Sequence, residues 1–296
     1  MTRLIFAFMQ AYGGDERESL LLARSLRTFG GEMANHPLWL MMPINLEQVS
    51  KSKLQALREL GVQVHKFEVP EEALKFPFGG KVYAAAAAEA LASTQADILV
   101  WMDSDTLFMG EPAKFLLGEN ISLGYRPVML KNISTFYDEP LNAFWNFIYE
   151  RCETPVEHIF PMLTTVDGVH IRPQFNAGIM SLRPAKKLLG TWRDNFERFY
   201  QQPELTPYYD EHILYRIFVH QSILSATLLT MLHKDEMQDL GPRVNLPMFL
   251  ETEPDATSNA VTLRYDEFNF FEKPEWEKKV ALNDAFKSWL QKQVRQ

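Results

Sequence analysis

Two carboxylates, Asp103 and Asp105, close the apolar run ILVWMDSDTLF at residues 98–108. Side chains at i and i+2 of an extended chain point to the same side, so the two acids share a face. Carboxylates held this close repel each other unless a cation lies beside them. Oxygen ligands of this kind suit Mg2+ or Mn2+, and such an ion keeps water and substrate phosphates in its remaining positions. The chemistry on offer is therefore metal-assisted handling of a diphosphate. The plainer alternative is a solvated turn with Asp103 and Asp105 as surface caps. Against it stands the continuous apolar segment 97–102, which includes Trp101 and reads as a buried central strand. The carboxyl end of a parallel strand is where open α/β sheets bind ligands.

The elements that must position the pair can be read from periodicity. Leu4–Met9 is a short apolar run stopped by Gly13-Gly14, a first strand. Residues 15–29 carry Leu20, Leu21, Ala23 and Leu26 at helical spacing before Gly30-Gly31. A strand over 37–42, a helix over 50–60, a strand over 62–69 and an alanine-rich helix over 82–92 follow. Strand and helix alternate up to residue 102, the pattern of a parallel sheet with flanking helices. Further on, strands are expected at 121–125, 175–182 and 261–265, and helices at 141–151 and 211–232. An amphipathic tail places Leu282, Ala285, Phe286, Trp289 and Leu290 on one stripe.

Composition narrows the function classes. The chain has 296 residues, 46% hydrophobic and 23% charged, which is ordinary globular usage. Its formal charge of −8 argues against a nucleic-acid binder, which needs clustered Lys and Arg. One cysteine, Cys152, excludes an intrachain disulfide and a cysteine zinc site. No segment reaches the roughly 20 apolar residues of a membrane span, so a cytoplasmic protein is expected. The basic residues Lys287, Lys292 and Arg295 beside the tail stripe leave a peripheral membrane contact open, against simple packing of the stripe on its own domain.

Ordered along the chain, FAFMQAYGG, KVYAAAAAEAL, ADILVWMDSDTLF, QFNAGIMSLRP, YYDEHILYRI and LGPRVNLP resemble the motifs of GT-A-fold, nucleotide-sugar-dependent glycosyltransferases of the glycogenin/galactosyltransferase-like kind, over roughly residues 1–270. The resemblance implies an α/β fold, a single GT-A-like domain over residues 1–296. Its mixed, mostly parallel central sheet would have flanking helices and a helical tail. A nucleotide-binding half would span 1–130, an acceptor-side half 131–270 and the tail 271–296. It implies transfer of a hexose from a nucleotide diphosphate sugar, UDP-linked, to a glycan, protein or lipid hydroxyl, with retention, assisted by Mn2+ or Mg2+. Carried over by residue, Asp103 and Asp105 would hold the metal, with Ser104 between them. Lys81 would face the diphosphate or ribose, and Gln10, Ala11 and Tyr12 would line the base pocket. Asn176, Ala177 and Gly178 would sit beside the donor sugar. Asp210, Glu211 and His212 would act catalytically at a helix start, where acidic residues also serve as caps.

One position departs from that pattern. Where many relatives supply a metal-ligating histidine, VTLRYDEF has Arg264, and a guanidinium cannot ligate a cation. Either Asp266 or water completes the metal shell, or Arg264 itself pairs with the diphosphate. A catalytically silent sugar-nucleotide or glycan-binding module is the alternative function. A haloacid-dehalogenase-like phosphatase, which also uses an Asp-x-Asp, ranks below both, because here the pair follows several strands and not the first. His212 and His220 lie eight apart, too far for a metal pair of the HExxH type. No Walker loop, Rossmann glycine fingerprint or Gly-x-Ser-x-Gly is present.

Overall fold

In the computed structural model, residues 2–10, 13–44, 49–250 and 257–295 are described. The first half follows the expected alternation. β1 (Leu4–Met9) leads to α1 (Arg17–Phe29), β2 (Leu38–Pro43), α2 (Lys51–Glu59) and β3 (Val62–Phe67). A short α3 (Glu71–Lys75) precedes α4 (Gly79–Ala92), which returns the chain to β4 (Ile98–Asp103). After Ser104-Asp105 come β5 (Thr106–Phe108), β6 (Leu123–Pro127) and α5 (Ala143–Arg151). Between α5 and β9 (Phe175–Leu182) come a 3-10 turn (Val156–His158) and two short strands, β7 (Met162–Leu163) and β8 (His170–Ile171). α6 (Leu188–Phe199), α7 (Thr206–Glu211) and α8 (Ile213–Met231) follow. The chain closes with β10 (Met237–Asp239), β11 (Leu246–Pro247), β12 (Thr262–Arg264), α9 (Trp276–Lys279) and α10 (Asp284–Val294).

The central sheet has the order β10-β6-β9-β4-β1-β2-β3. Only β9 runs against its neighbours β4 and β6, so the sheet is mixed and mostly parallel, as expected. Alternate residues of β1 serve opposite faces. Ile5 and Ala7 join Trp39, Trp101 and the helices α4, α6 and α8, while Phe6 and Phe8 join Leu40, Val100 and α1. A sheet covered on both sides in this way explains why β1, β2 and β4 read as unbroken apolar runs.

The small sheet β11-β12-β5 lies beside the large one, and the chain passes from β4 to β5 through Ser104 and Asp105. That crossing places the carboxylate pair at the junction of two sheets. Asp103 ends β4 opposite Met9, and Asp105 precedes β5, where Thr106 faces Arg264 of β12.

The tail packs on its own domain. Phe286 and Leu290 are fully buried, and Phe29 of α1 lies 5.1 Å from the Phe286 ring and 5.2 Å from Trp289. The core-facing residues of the stripe are thus covered by protein, and Ala285 is exposed. Among the described residues one helix, α8, is long and apolar enough to cross a membrane. It is a core helix here, with Val219, Ile223, Leu224, Ala226, Leu228 and Leu229 fully buried.

Helix α6 has no strong start signal of its own: its N-cap is Lys187, in the left-handed region at φ 56°, with no side-chain cap. The cap comes from α4. Glu89 Oε2 accepts the Gly190 N–H at 2.7 Å, while Glu89 Oε1 is buried without a partner. Burial pushes this carboxyl up to about 7, against the pull of the backbone N–H groups of Gly190, Leu189 and Leu188. The folded protein then binds more protons than the unfolded chain between about pH 4.5 and 7, so this group's contribution to stability falls as pH rises through that window. Glu89→Gln keeps an acceptor and removes the titration. Relative to wild type, the variant should gain on the order of 1–3 kcal/mol between about pH 5 and pH 8. Thermal unfolding at both pH values checks this; a wild-type-to-variant difference that does not change with pH contradicts it.

Candidate active site

The carboxyl ends of β1 and β4 open into a cleft of about 670 Å3. Its floor is Trp101, Asp103, Ser104 and Asp105; Arg264 and Asp266 form one wall, Phe78, Gly80 and Lys81 another. Both carboxylates are buried, Asp103 at 9% and Asp105 at 4% exposure. Lys81, in the first turn of α4, donates to Asp103 at 2.6 Å to Oδ1 and 2.8 Å to Oδ2. Arg264 spans the pair: Nε donates to Asp105 Oδ2 at 2.8 Å, and Nη2 lies 3.3 Å from Asp103 Oδ2. Two acids and two bases therefore form one closed cluster.

The cluster fixes the charge states. Burial works to raise the Asp103 carboxyl, but Lys81 and Arg264 outweigh it and hold Asp103 below the ordinary carboxylate range. Asp105 has one cation and a neighbouring anion, and burial pushes it up to about 6. Burial lowers Lys81, with Asp103 opposing, while Asp105 and Asp103 hold Arg264 above its ordinary value in spite of burial.

Gly178 of β9 makes room for the cluster. In the β4–β9 register Met102 faces Ile179, so Gly178 comes next, beside Asp103. A Cβ on Gly178 would lie 2.5 Å from Asp103 Oδ2, 2.9 Å from Asn176 Oδ1 and 3.0 Å from Arg264 Nη1. Asn176 accepts the Gly178 N–H at 2.8 Å, and the Ala177 N–H donates to Gln221 of α8 at 3.0 Å. The segment 176–178 thus backs the ion cluster.

The remaining expected residues lie as follows. Gln10 is fully buried; its amide donates to Asp15 O at 3.0 Å and Glu18 Oε2 at 3.3 Å, and it accepts from Ser19. It therefore anchors the start of α1. Ala11 and Tyr12 lie outside the described residues. Asp210, Glu211 and His212 are exposed and do not line the cleft. Instead of starting one long helix, Asp210 and Glu211 end α7, and His212 caps α8 by accepting the Leu214 N–H at 3.1 Å. The link to the cleft is indirect: Arg216 and Tyr209 pack on the ring of Phe76, which lines it.

Two residues of the cleft, Glu18 and Phe78, are not singled out from the sequence. Glu18 of α1 is buried under Ser104, whose hydroxyl donates to it at 2.8 Å, and burial raises its carboxyl to about 7. Phe78 sits at φ 58° before α4 and is 41% exposed. A bulky side chain in that region is strained, and the ring bridges His220, stacked at 4.8 Å, and Lys81 Nζ at 4.7 Å. His220, held neutral by burial with its pKa down to about 3, adds no charge there. The Pro77 and Gly79-Gly80 around Phe78 were the available signal for a special turn. Buried polar atoms also gather here. Among the described residues, four of the eight buried side-chain polar atoms without a partner belong to Trp101, Asp105, Thr106 and Tyr265. Of these, Trp101 and Asp105 line the cleft, and Thr106 and Tyr265 are the chain neighbours of its lining residues Asp105 and Arg264.

A family model described as a Rhodobacterales glycosyltransferase domain matches residues 6–214. The chain belongs to this glycosyltransferase family. Its fold is GT-A: a crystal structure of an active-site mutant of LgtC superimposes with a TM-score of 0.51 at 14% identity, over 93% of each chain. The apo crystal structure of mouse xyloside xylosyltransferase 1 matches at a TM-score of 0.46 and 15% identity, over 90% of this chain and 97% of that one. A search against curated proteins gave no match. The chain is thus a glycosyltransferase, which removes the phosphatase from consideration.

The donor set of this glycosyltransferase does not fit a divalent cation. Three of the four oxygens of Asp103 and Asp105 already accept from Lys81 or Arg264; the fourth, Asp105 Oδ1, is buried and alone. No group of three His, Cys, Asp or Glu side chains among the described residues is arranged to hold a metal. The third side chain on the pair is a guanidinium, which repels a dication sharing its oxygens. Two unit charges about 4 Å apart in such a site already cost about 4 kcal/mol.

Proposed function

We propose that this glycosyltransferase transfers a hexose from a nucleoside diphosphate sugar, UDP-linked, to a hydroxyl of a glycan, protein or lipid, and that Lys81 and Arg264 receive the diphosphate. The observation that carries this reading is the pair of cations held at the wall of the cleft by Asp103 and Asp105. When the bond between the anomeric carbon and the phosphate oxygen breaks, its electron pair stays on the diphosphate. Donors already fixed where that charge grows stabilise the transition state without reorganising. Arg264 offers a planar fork matched to phosphate oxygens, and Lys81 a compact point charge. The acceptor oxygen bonds to the anomeric carbon, and its proton passes to the departing diphosphate, whose oxygen carries the new electron pair. Gly178 keeps the cluster tight against the sheet, and exposed Phe78 supplies an apolar ring at the cleft. Retention of configuration is retained from the sequence resemblance.

Arg264→Ala tests the assignment. Loss of a charge-assisted contact, roughly 1.5–3 kcal/mol, should weaken UDP binding about tenfold or more. Uridine, which carries no diphosphate, should bind nearly as before. Calorimetry with both ligands reads the difference; equal losses for the two, or no loss for either, would remove Arg264 from the diphosphate.

A further inference from the structure

We infer that this enzyme binds and activates its donor without a divalent cation, Lys81 and Arg264 together standing where such an ion would act. The inference rests on the nucleotide-sugar reading above and departs from the metal-assisted expectation raised by Asp103 and Asp105. Four observations converge on it. Arg264 reaches both carboxylates at once, at 2.8 and 3.3 Å, so it occupies the position a bridging ion would need. Its place is built in, because β12 pairs with β5 and sets Arg264 opposite Thr106, the residue after Asp105. Gly178 leaves no spare space behind the guanidinium, with a Cβ site only 3.0 Å from Nη1. The two side chains also carry the same total charge as one divalent ion, and the two carboxylates balance it.

The carboxylates then have a different task from ligation. They hold the two cations in place before the donor arrives and keep them charged in a buried site. A guanidinium stays protonated throughout the working pH range, so the electrophilic charge at the diphosphate does not depend on an exchangeable ion. The bond that breaks is the glycosyl C–O bond, and its electron pair leaves with the diphosphate oxygen facing Lys81 and Arg264. No co-reactant beyond donor and acceptor is needed.

The test is a titration of the metal-stripped enzyme with UDP, GDP and ADP, once in EDTA and once in excess Mn2+. At least one nucleotide should bind in EDTA, with an affinity within about twofold of that in Mn2+. Sugar release from the matching nucleotide sugar should likewise persist in EDTA. Arg264→His places an imidazole, a common metal ligand, against the same carboxylates. That variant should lose affinity about tenfold or more in EDTA and recover it with Mn2+. Nucleotide binding by the wild type that requires Mn2+ overturns this inference and leaves the nucleotide-sugar reading standing. Absence of binding by all three nucleotides in both conditions overturns that reading and the inference with it. The wild-type comparison decides the question even where Arg264→His does not fold.

Discussion

Asp103→Asn should cost the folded protein about 3–5 kcal/mol, the usual penalty for removing one partner of a buried ion pair. Asp103 is the carboxylate that Lys81 touches, at 2.6 and 2.8 Å, and it shares Arg264 with Asp105. An amide in its place keeps the shape but leaves the Lys81 ammonium, already lowered by burial, without its anion. For a chain of this size about 1 kcal/mol corresponds to roughly 2–4 °C in thermal midpoint, so the midpoint should fall by about 10 °C. The double variant Lys81→Met, Asp103→Asn removes both charges and should recover much of the loss, because a buried pair replaced by neutral groups is often nearly neutral in stability. A double-mutant cycle reads the coupling directly. An Asp103→Asn midpoint equal to wild type would mean that the carboxylate is not the anchor of Lys81. A pair exposed in a solvated turn would give that result; the buried network excludes it.

The sheet was legible in the sequence for a plain physical reason. β1, β2 and β4 are covered on both faces, and such strands must be apolar throughout. The carboxylate pair was legible too, since only a charged pair at the end of so apolar a strand stands out. What stayed hidden depends on contacts far apart along the chain. α6 begins at a lysine in the left-handed region and is capped by Glu89, about 100 residues earlier; no local signal announces such a cap. β5 and β11 have three and two residues, too few for periodicity. A strand at 261–265 is expected and β12 fills it, but its pairing with β5, which carries Arg264 to Asp105, leaves no local signal. Asp210, Glu211 and His212 show the reverse case. Acidic residues near a helix boundary fit a cap as well as a site, and the structure sets His212 to capping and leaves the other two in solvent. Glu18, in the first turn of α1, carries no local signal that sets it apart; its role comes from Ser104, which the fold lays on it from 86 residues away.

Gly178→Ala should abolish most nucleotide binding while leaving the fold in place. The added methyl would lie 2.5 Å from Asp103 Oδ2, closer than carbon and oxygen can approach. Asp103 cannot swing away cheaply, because its side chain is short, buried and held by Lys81 and Arg264. Asn176 Oδ1 and Arg264 Nη1 close the other directions. The relief must come from a shift of the whole ion cluster or from a separation of β4 and β9, and overpacking of this sort costs typically 1–3 kcal/mol. A displaced Arg264 and Lys81 no longer meet a diphosphate in register, and displacement by about 1 Å at such a site can cost about a hundredfold in rate. UDP affinity should therefore fall by tenfold or more, with turnover falling further. Gly190→Ala is the matched control. Its Cβ would meet only Glu89 Oε2, at 3.6 Å, an ordinary contact, and in the first turn of α6 alanine gains at most part of its helix-interior advantage over glycine of roughly 0.5–1 kcal/mol. That variant should bind UDP as wild type does and unfold at the same or a slightly higher temperature. Gly178→Ala protein that binds UDP normally would show that the cluster has slack on the β9 side, and that Gly178 is not what holds Arg264 against the carboxylates.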